Sequence, residues 1–272
     1  MDDKQIFESW ETFKQLLKST NREGVDNLIK WLDESDFKFA PASTKYHNSF
    51  RGGLLKHSLD VYYHMYDFKS YIDYFDIPQD TIILTSLLHD VCKVHCYLTD
   101  FRNVKNDEGQ WVKAPYYIWD EAAPGFGHGT KSVIMLLNQG LKLSLLEQAM
   151  IANHMGFSGT TDSTVIASVS KCFSKYPQGL ILHWADESST FLMESTDLQP
   201  EFKSKLLGRN ISESVSIYRQ QKETITINGT NYKLAPADAV VDGQEIIQIP
   251  YDDNGLQKTA KVYAPHKDGL PF

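Results

Sequence analysis

Apolar side chains recur at helical spacing from the start of the chain. Ile6, Trp10, Phe13 and Leu17 fall on one face, Ser19-Thr20-Asn21 interrupts the pattern, and Val25, Leu28, Ile29 and Leu32 resume it. Two helices with a core-facing stripe are therefore expected over residues 4–35. Residues 36–53 lack a period and contain Pro41, Ser43, Thr44 and Gly52-Gly53, which reads as irregular chain. Helices are expected from Leu54 to Tyr71 and from Thr81 to Val94, the second entered through Pro78 with Gln79 or Asp80 near its start. Four more are expected over 128–138, 143–155, 163–173 and 177–195, with Gly140 and the Gly156–Thr161 segment as separators.

Two stretches depart from the helical period. Between His95 and Gly127, Phe101–Lys105 and Trp111–Trp119 are aromatic-rich runs flanking Asp107-Glu108-Gly109, the pattern of a hairpin or ordered loop. Such an insertion between helices could cover a site. After Pro200, residues 201–222 are read as helical. Thr224–Ile227 and Thr230–Leu234 then alternate around Asn228-Gly229, a strong hairpin signal. Ile246–Ile249 and Thr259–Tyr263 add strands. The expected class is mainly α, a helical bundle with a short hairpin-like insertion and a small mixed α/β appendage, divided as residues 1–204 and 205–272.

Composition narrows the functional classes. The 272 residues are 42% hydrophobic and 23% charged, as in a globular protein with a sizeable core. A formal net charge of -8 without a basic block argues against an extended nucleic-acid groove. The start MDDKQIFESW lacks a signal-peptide pattern and no apolar run is long enough to span a membrane, so a cytoplasmic location is expected. Cys92, Cys96 and Cys172 are too few and too scattered for a disulfide framework or a cysteine zinc site.

Nine histidines carry the candidate chemistry. His57 follows a double glycine, His89 and Asp90 are adjacent near the end of an apolar helix, His128 lies between glycines, His154 precedes Gly156, and Asp186 follows an apolar run. Nitrogen and oxygen donors brought together from neighbouring helices can hold a divalent ion, and such an ion can polarise a phosphoryl oxygen. By spacing alone, this is one possibility among several.

The motifs Arg51-Gly-Gly-Leu-Leu-Lys-His57-Ser58, Leu87-Leu-His89-Asp90-Val-Cys-Lys93, Gly127-His128-Gly129, Asn153-His154-Met-Gly156 and Leu182-His183-Trp-Ala-Asp186 occur in an order that resembles the HD-domain phosphohydrolase superfamily. The resemblance covers residues 44–195. It is nearest in motif to bacterial HD-type 3'-to-5' exoribonucleases, but no OB-type module stands ahead of residue 44, and Asn153 stands where many of those proteins have His. The resemblance implies an HD-domain helical bundle in which His57, His89, Asp90 and Asp186 bind one ion, His128 and His154 complete a second site, and Asp90 bridges. The implied cofactors are one or two divalent ions among Mn, Fe, Ni, Co, Zn and Mg. The implied activity is hydrolysis of a phosphoester in a nucleotide or short nucleic acid by metal-activated water, with Lys93 on the phosphate.

Arg102, Lys105 and Lys131 are further candidates for the substrate anion, and Tyr116, Tyr117 and Trp119 for stacking on a base. His47 is a candidate for proton transfer and His183 for orienting a ligand. Two other classes stay open: a regulatory module around a structural ion, and an oxygenase on a related di-iron centre.

Overall fold

The computed structural model describes residues 1–106, 108–120, 126–158 and 160–194, and parts of 224–264. The chain divides into two compact units, Met1–Arg209 and Asn210–Phe272. The fold is mostly helical, with a β-hairpin inside the first unit and short strand pairs in the second.

Helices α1 (Asp3–Ser19) and α2 (Val25–Glu34) bury the stripe read from the sequence, with Phe13, Leu17, Leu28 and Leu32 fully enclosed. Asp2 opens α1 with a reciprocal cap, its side chain accepting from the Gln5 N–H while the Gln5 side chain accepts from the Asp2 N–H. Four later helices form the frame of the site: α3 (Gly53–Met65), α5 (Gln79–Leu88), α7 (Leu145–Ala152) and α9 (Gln178–Ser188). In the closed ring they make, α3 packs on α5, α5 on α7, α7 on α9 and α9 back on α3. Every residue of α5 from Thr81 to Leu88 is buried, so this helix runs through the core with apolar contact all round. The remaining helices are α4 (Lys69–Tyr74), α6 (His128–Asn138) and α8 (Ser163–Lys175).

Two expected helices are shorter than their apolar runs. The run from Leu54 breaks after Met65 into a tight turn, Tyr66–Phe68, before α4 begins. There Asp67 reaches back to accept from His64 Nδ1 at 2.7 Å. The run from Thr81 ends as helix at Leu88, where the His89 ring donates to the Ser86 carbonyl at 2.7 Å, and a short turn, Val91–Lys93, follows.

Near the site, close backbone approaches require glycine at positions 53 and 129. A Cβ on Gly53 would lie 1.9 Å from the Asn48 carbonyl oxygen, where the irregular segment meets the start of α3. A Cβ on Gly129 would lie 2.3 Å from the Ile151 carbonyl oxygen, so α6 sits directly against the end of α7.

The insertion is a two-stranded antiparallel hairpin, β1 (Tyr97–Lys105) with β2 (Trp111–Trp119), in which Tyr97 pairs with Trp119 at the open end. In the second unit β3 (Thr224–Ile227) pairs with β4 (Thr230–Lys233) and β5 (Ile246–Asp253) with β6 (Leu256–Tyr263), around Ile227, Ala260 and Val262. These strands agree with the Asn-Gly hairpin expectation, although Asn228 and Gly229 lie outside the described residues, as does the helix expected over 201–222. Among the described residues no helix is long and apolar enough to cross a membrane.

Candidate metal centre

The ring of four helices brings His57 from α3, His89 and Asp90 from the end of α5, His154 from the end of α7, and Asp186 from α9 close together. His57, His89, His154 and Asp90 are buried. Donor atoms of His57, His89 and Asp90 lie within 4.8 Å of one another, and so do those of His89, His154 and Asp186. His57 Nε2 is 3.2 Å from His89 Nε2, 3.2 Å from Asp186 Oδ1 and 3.6 Å from Asp90 Oδ2. His154 Nε2 is 3.6 Å from Asp90 Oδ1.

Local structure decides which nitrogen of each ring faces this point. The last carbonyls of a helix have no partner within the helix. His89 lies just past α5 and donates Nδ1–H to the Ser86 carbonyl, three residues back. His154 lies just past α7 and does the same to the Ile151 carbonyl at 2.8 Å. A carbonyl only accepts, so Nδ1 of each ring carries a proton and Nε2 is the nitrogen left free to offer a lone pair to a cation. His57 Nδ1 faces both oxygens of Glu194, at 3.0 and 3.2 Å. The three Nε2 atoms thus converge with two carboxylates.

This donor set fits a divalent cation. His154 Nε2 is buried without a hydrogen-bond partner, as expected of a nitrogen placed for a ligand bond. Beside this donor set lies a buried ammonium, Lys93, whose Nζ is 2.5 Å from Asp90 Oδ2. Burial is the largest influence on His57 and pulls its pKa down. Glu194 and Asp186 together outweigh it and carry the pKa up to about 10. Burial likewise opposes ionisation of Asp90, yet Lys93 and the neighbouring histidines hold that carboxyl far below its usual range. Glu194 is held at about 2 by His57 and Ser189 against its own burial.

The cluster opens into a cavity of about 380 Å³. Its polar end carries His57, Asp90, Lys93, Asp186 and His47; Tyr97, Trp119, Met155 and Phe191 form an apolar wall. The hairpin enters the wall through its open end, where Tyr97 and Trp119 meet edge to face at 5.2 Å and the Tyr97 hydroxyl donates to the Ala42 carbonyl at 3.0 Å. His47 Nε2 is buried and unpartnered, and burial pulls that imidazole down to about 4.

Other residues singled out in the sequence lie elsewhere. His128, the first residue of α6, is on the cavity wall and exposed, with Nδ1 3.4 Å from Cys92 Sγ. It is outside the compact donor groups found among the described residues. Lys131 is buried with Nζ 3.2 Å from Cys96 Sγ, and it does not line the cavity. Arg102 lies over the Tyr116 ring and Lys105 over Trp111, further up the hairpin and outside the cavity lining. His183 lines the cavity and donates Nδ1–H to the His154 carbonyl at 2.8 Å, which holds the turn that carries His154. Sequence reasoning missed Glu194. It is eight residues beyond Asp186, past a wide turn that no residue pattern announces.

The fold and cluster define a class: a mostly helical protein with a buried His/Asp metal-binding site. Among curated proteins the chain is similar to the dihydroneopterin 2',3'-cyclic phosphate phosphodiesterase of Methanocaldococcus jannaschii, with 25% identity over 183 residues. That match covers 66% of this chain and 62% of the length of the archaeal protein. No family model matches the chain, and no solved structure does. The cluster and this distant likeness support a metal-dependent hydrolase in general terms.

Proposed function

We propose that the protein hydrolyses a phosphoester bond, preferentially a diester, in a nucleotide-sized substrate. The observation that carries this reading is the gathering of three histidines and two aspartates into overlapping donor groups, His57 with His89 and Asp90 and His89 with His154 and Asp186, beside an open cavity. The HD-type order of the motifs and the likeness to a cyclic phosphate phosphodiesterase support the same choice.

In this reading His57, His89, Asp90, His154 and Asp186 hold a divalent cation, and His128 stands ready on the wall for a second. A cation bound there supplies Lewis acidity toward a phosphoryl oxygen and toward water. Lys93 places its ammonium at the cavity wall, where it offsets charge on the non-bridging oxygens as the transition state forms. Asp90 orients that ammonium through their ion pair. Tyr97 and Trp119 exclude water above the reacting phosphorus and give a flat ring a surface on which to lie.

The test is product release from bis(p-nitrophenyl) phosphate, p-nitrophenyl phosphate, nucleoside 2',3'-cyclic phosphates and short RNA oligomers with added Mn²⁺. Native protein is expected to turn over diesters, and a His89→Ala, Asp90→Ala double variant to be inactive with its helix content retained. Stoichiometric metal binding without turnover of any member of this panel would sink the hydrolase reading and leave a structural ion. Failure of the native protein to bind any offered divalent ion would sink the metal centre itself.

A further inference from the structure

Each histidine of the centre meets the same requirement: its Nδ1 needs an acceptor if Nε2 is to face the cation. His89 and His154 use carbonyls left over at helix ends. His57 cannot, because it lies inside α3, where the carbonyls of the preceding turn are taken by the helix itself. Its acceptor must come from another element.

That acceptor is Glu194. Both of its oxygens face His57 Nδ1, and the Ser189 hydroxyl donates to Oε1 at 2.5 Å. Glu194 is itself buried, 7% exposed. Its placement depends on the wide turn Ser189–Met193 that continues α9, closed by the Glu194 N–H donating to the Ser189 carbonyl at 3.0 Å. Eight residues of regular α-helix would swing Glu194 about 80° round from Asp186. The wider turn absorbs that excess rotation. One helical stretch therefore grips both nitrogens of a single ring, Asp186 Oδ1 at 3.2 Å from Nε2 and Glu194 Oε1 at 3.0 Å from Nδ1.

We propose that Glu194 is a positioning residue for the metal centre: it fixes the His57 ring with the proton on Nδ1 and the Nε2 lone pair directed at the cation. The inference rests on the reading of His57 as a metal ligand. Partners of this kind, one bond behind a ligand, commonly contribute about 10- to 100-fold in metal affinity.

The experiment measures Mn²⁺ affinity of the full chain from the free-ion electron paramagnetic resonance signal, with no substrate present. Glu194→Ala is expected to weaken binding about 10- to 100-fold. Glu194→Gln, whose amide oxygen still accepts from Nδ1–H, is expected to recover most of it. Thermal unfolding of each variant without metal separates loss of fold from loss of affinity. Should Glu194→Ala fail to fold, Glu194→Asp, which withdraws the carboxylate by one methylene, serves as the weakened partner in the same comparison. Native affinity in the weakened variant overturns the proposal, and so does a loss that Gln does not restore. In either case tight binding by the native chain leaves the metal reading standing; no binding by the native chain removes that reading and this one together.

Discussion

A histidine ring can offer one nitrogen to a cation when the other carries the proton, and the surroundings of Nδ1 settle which is which. Because His154 Nδ1 is held by a helix-end carbonyl and its buried Nε2 makes no hydrogen bond, its role is open to a direct test. His154→Ala is expected to weaken Mn²⁺ binding by at least about tenfold with far-UV circular dichroism unchanged. Equal affinity in the variant would remove His154 from the ligand set. Lys93 belongs to the same scale. Lys93→Ala should lower kcat/KM by about ten- to a hundred-fold, the worth of a charged hydrogen bond of about 1.5–3 kcal/mol made in the transition state. Mn²⁺ binding should survive that change, since the imidazole and carboxylate donors remain. A variant that lost its metal together with its activity would instead place Lys93 in the construction of the site.

At the scale of elements, the hairpin meets the cavity at its base and not along its length. Trp119→Ala is expected to raise KM for ring-bearing phosphodiesters severalfold, whereas a combined Arg102→Ala, Lys105→Ala variant should keep kcat/KM unchanged. Their charges sit outside the cavity lining. A large fall in kcat/KM on removing the two cations would mean that substrate extends up the hairpin. The contrast marks what the sequence could and could not reveal. Helix positions were legible because apolar side chains repeat every turn, and the strands because turn residues bracket alternating runs. The side chains that the structure gathers, His57, His89, Asp90, His154 and Asp186, could be picked out because their motifs keep a characteristic order. Which side chains of the hairpin face the cavity depends on how the open end leaves the turn Val91–Lys93, and no periodicity encodes that. Glu194 was hidden for a similar reason. At regular helical spacing it would point away from His57, and only the wide turn brings it back.

On the scale of the whole molecule, the helical unit is tied together away from the site by a second, half-buried polar cluster. Arg22, between α1 and α2, donates to Glu147 on α7 at 2.7 and 2.9 Å and also binds Asp80 on α5, while the Thr81 hydroxyl donates to Glu147 at 3.0 Å. Burial raises the Glu147 pKa, but the bonds from Arg22, Ser144 and Thr81 outweigh it and leave the carboxyl below its ordinary value. A depressed folded-state pKa means stability that is present above the unfolded value, about 4.3, and lost as the pH falls through the folded one. Native protein should therefore lose stability on acidification below about pH 4.3 more steeply than Glu147→Gln does. At neutral pH the variant should be about 1.5–3 kcal/mol less stable by urea unfolding, a modest loss because Arg22 keeps Asp80. Parallel acid limbs in the two proteins would refute this assignment. All the donors proposed for the cation precede residue 205, and residues 1–204 are expected, expressed alone, to fold as helix and bind Mn²⁺ with the affinity of the full chain.

The centre also has a place in time. His57, His89 and Asp90 leave the ribosome well before Asp186 and Glu194, so a growing chain carries an incomplete cluster for about half of the synthesis of its helical unit. Only when α9 docks against α3 does His57 meet a carboxylate on each of its nitrogens. On the proposed reading, metal capture would be a late event in biogenesis, and a chain stalled or cleaved before α9 would lack a tight grip on a reactive ion.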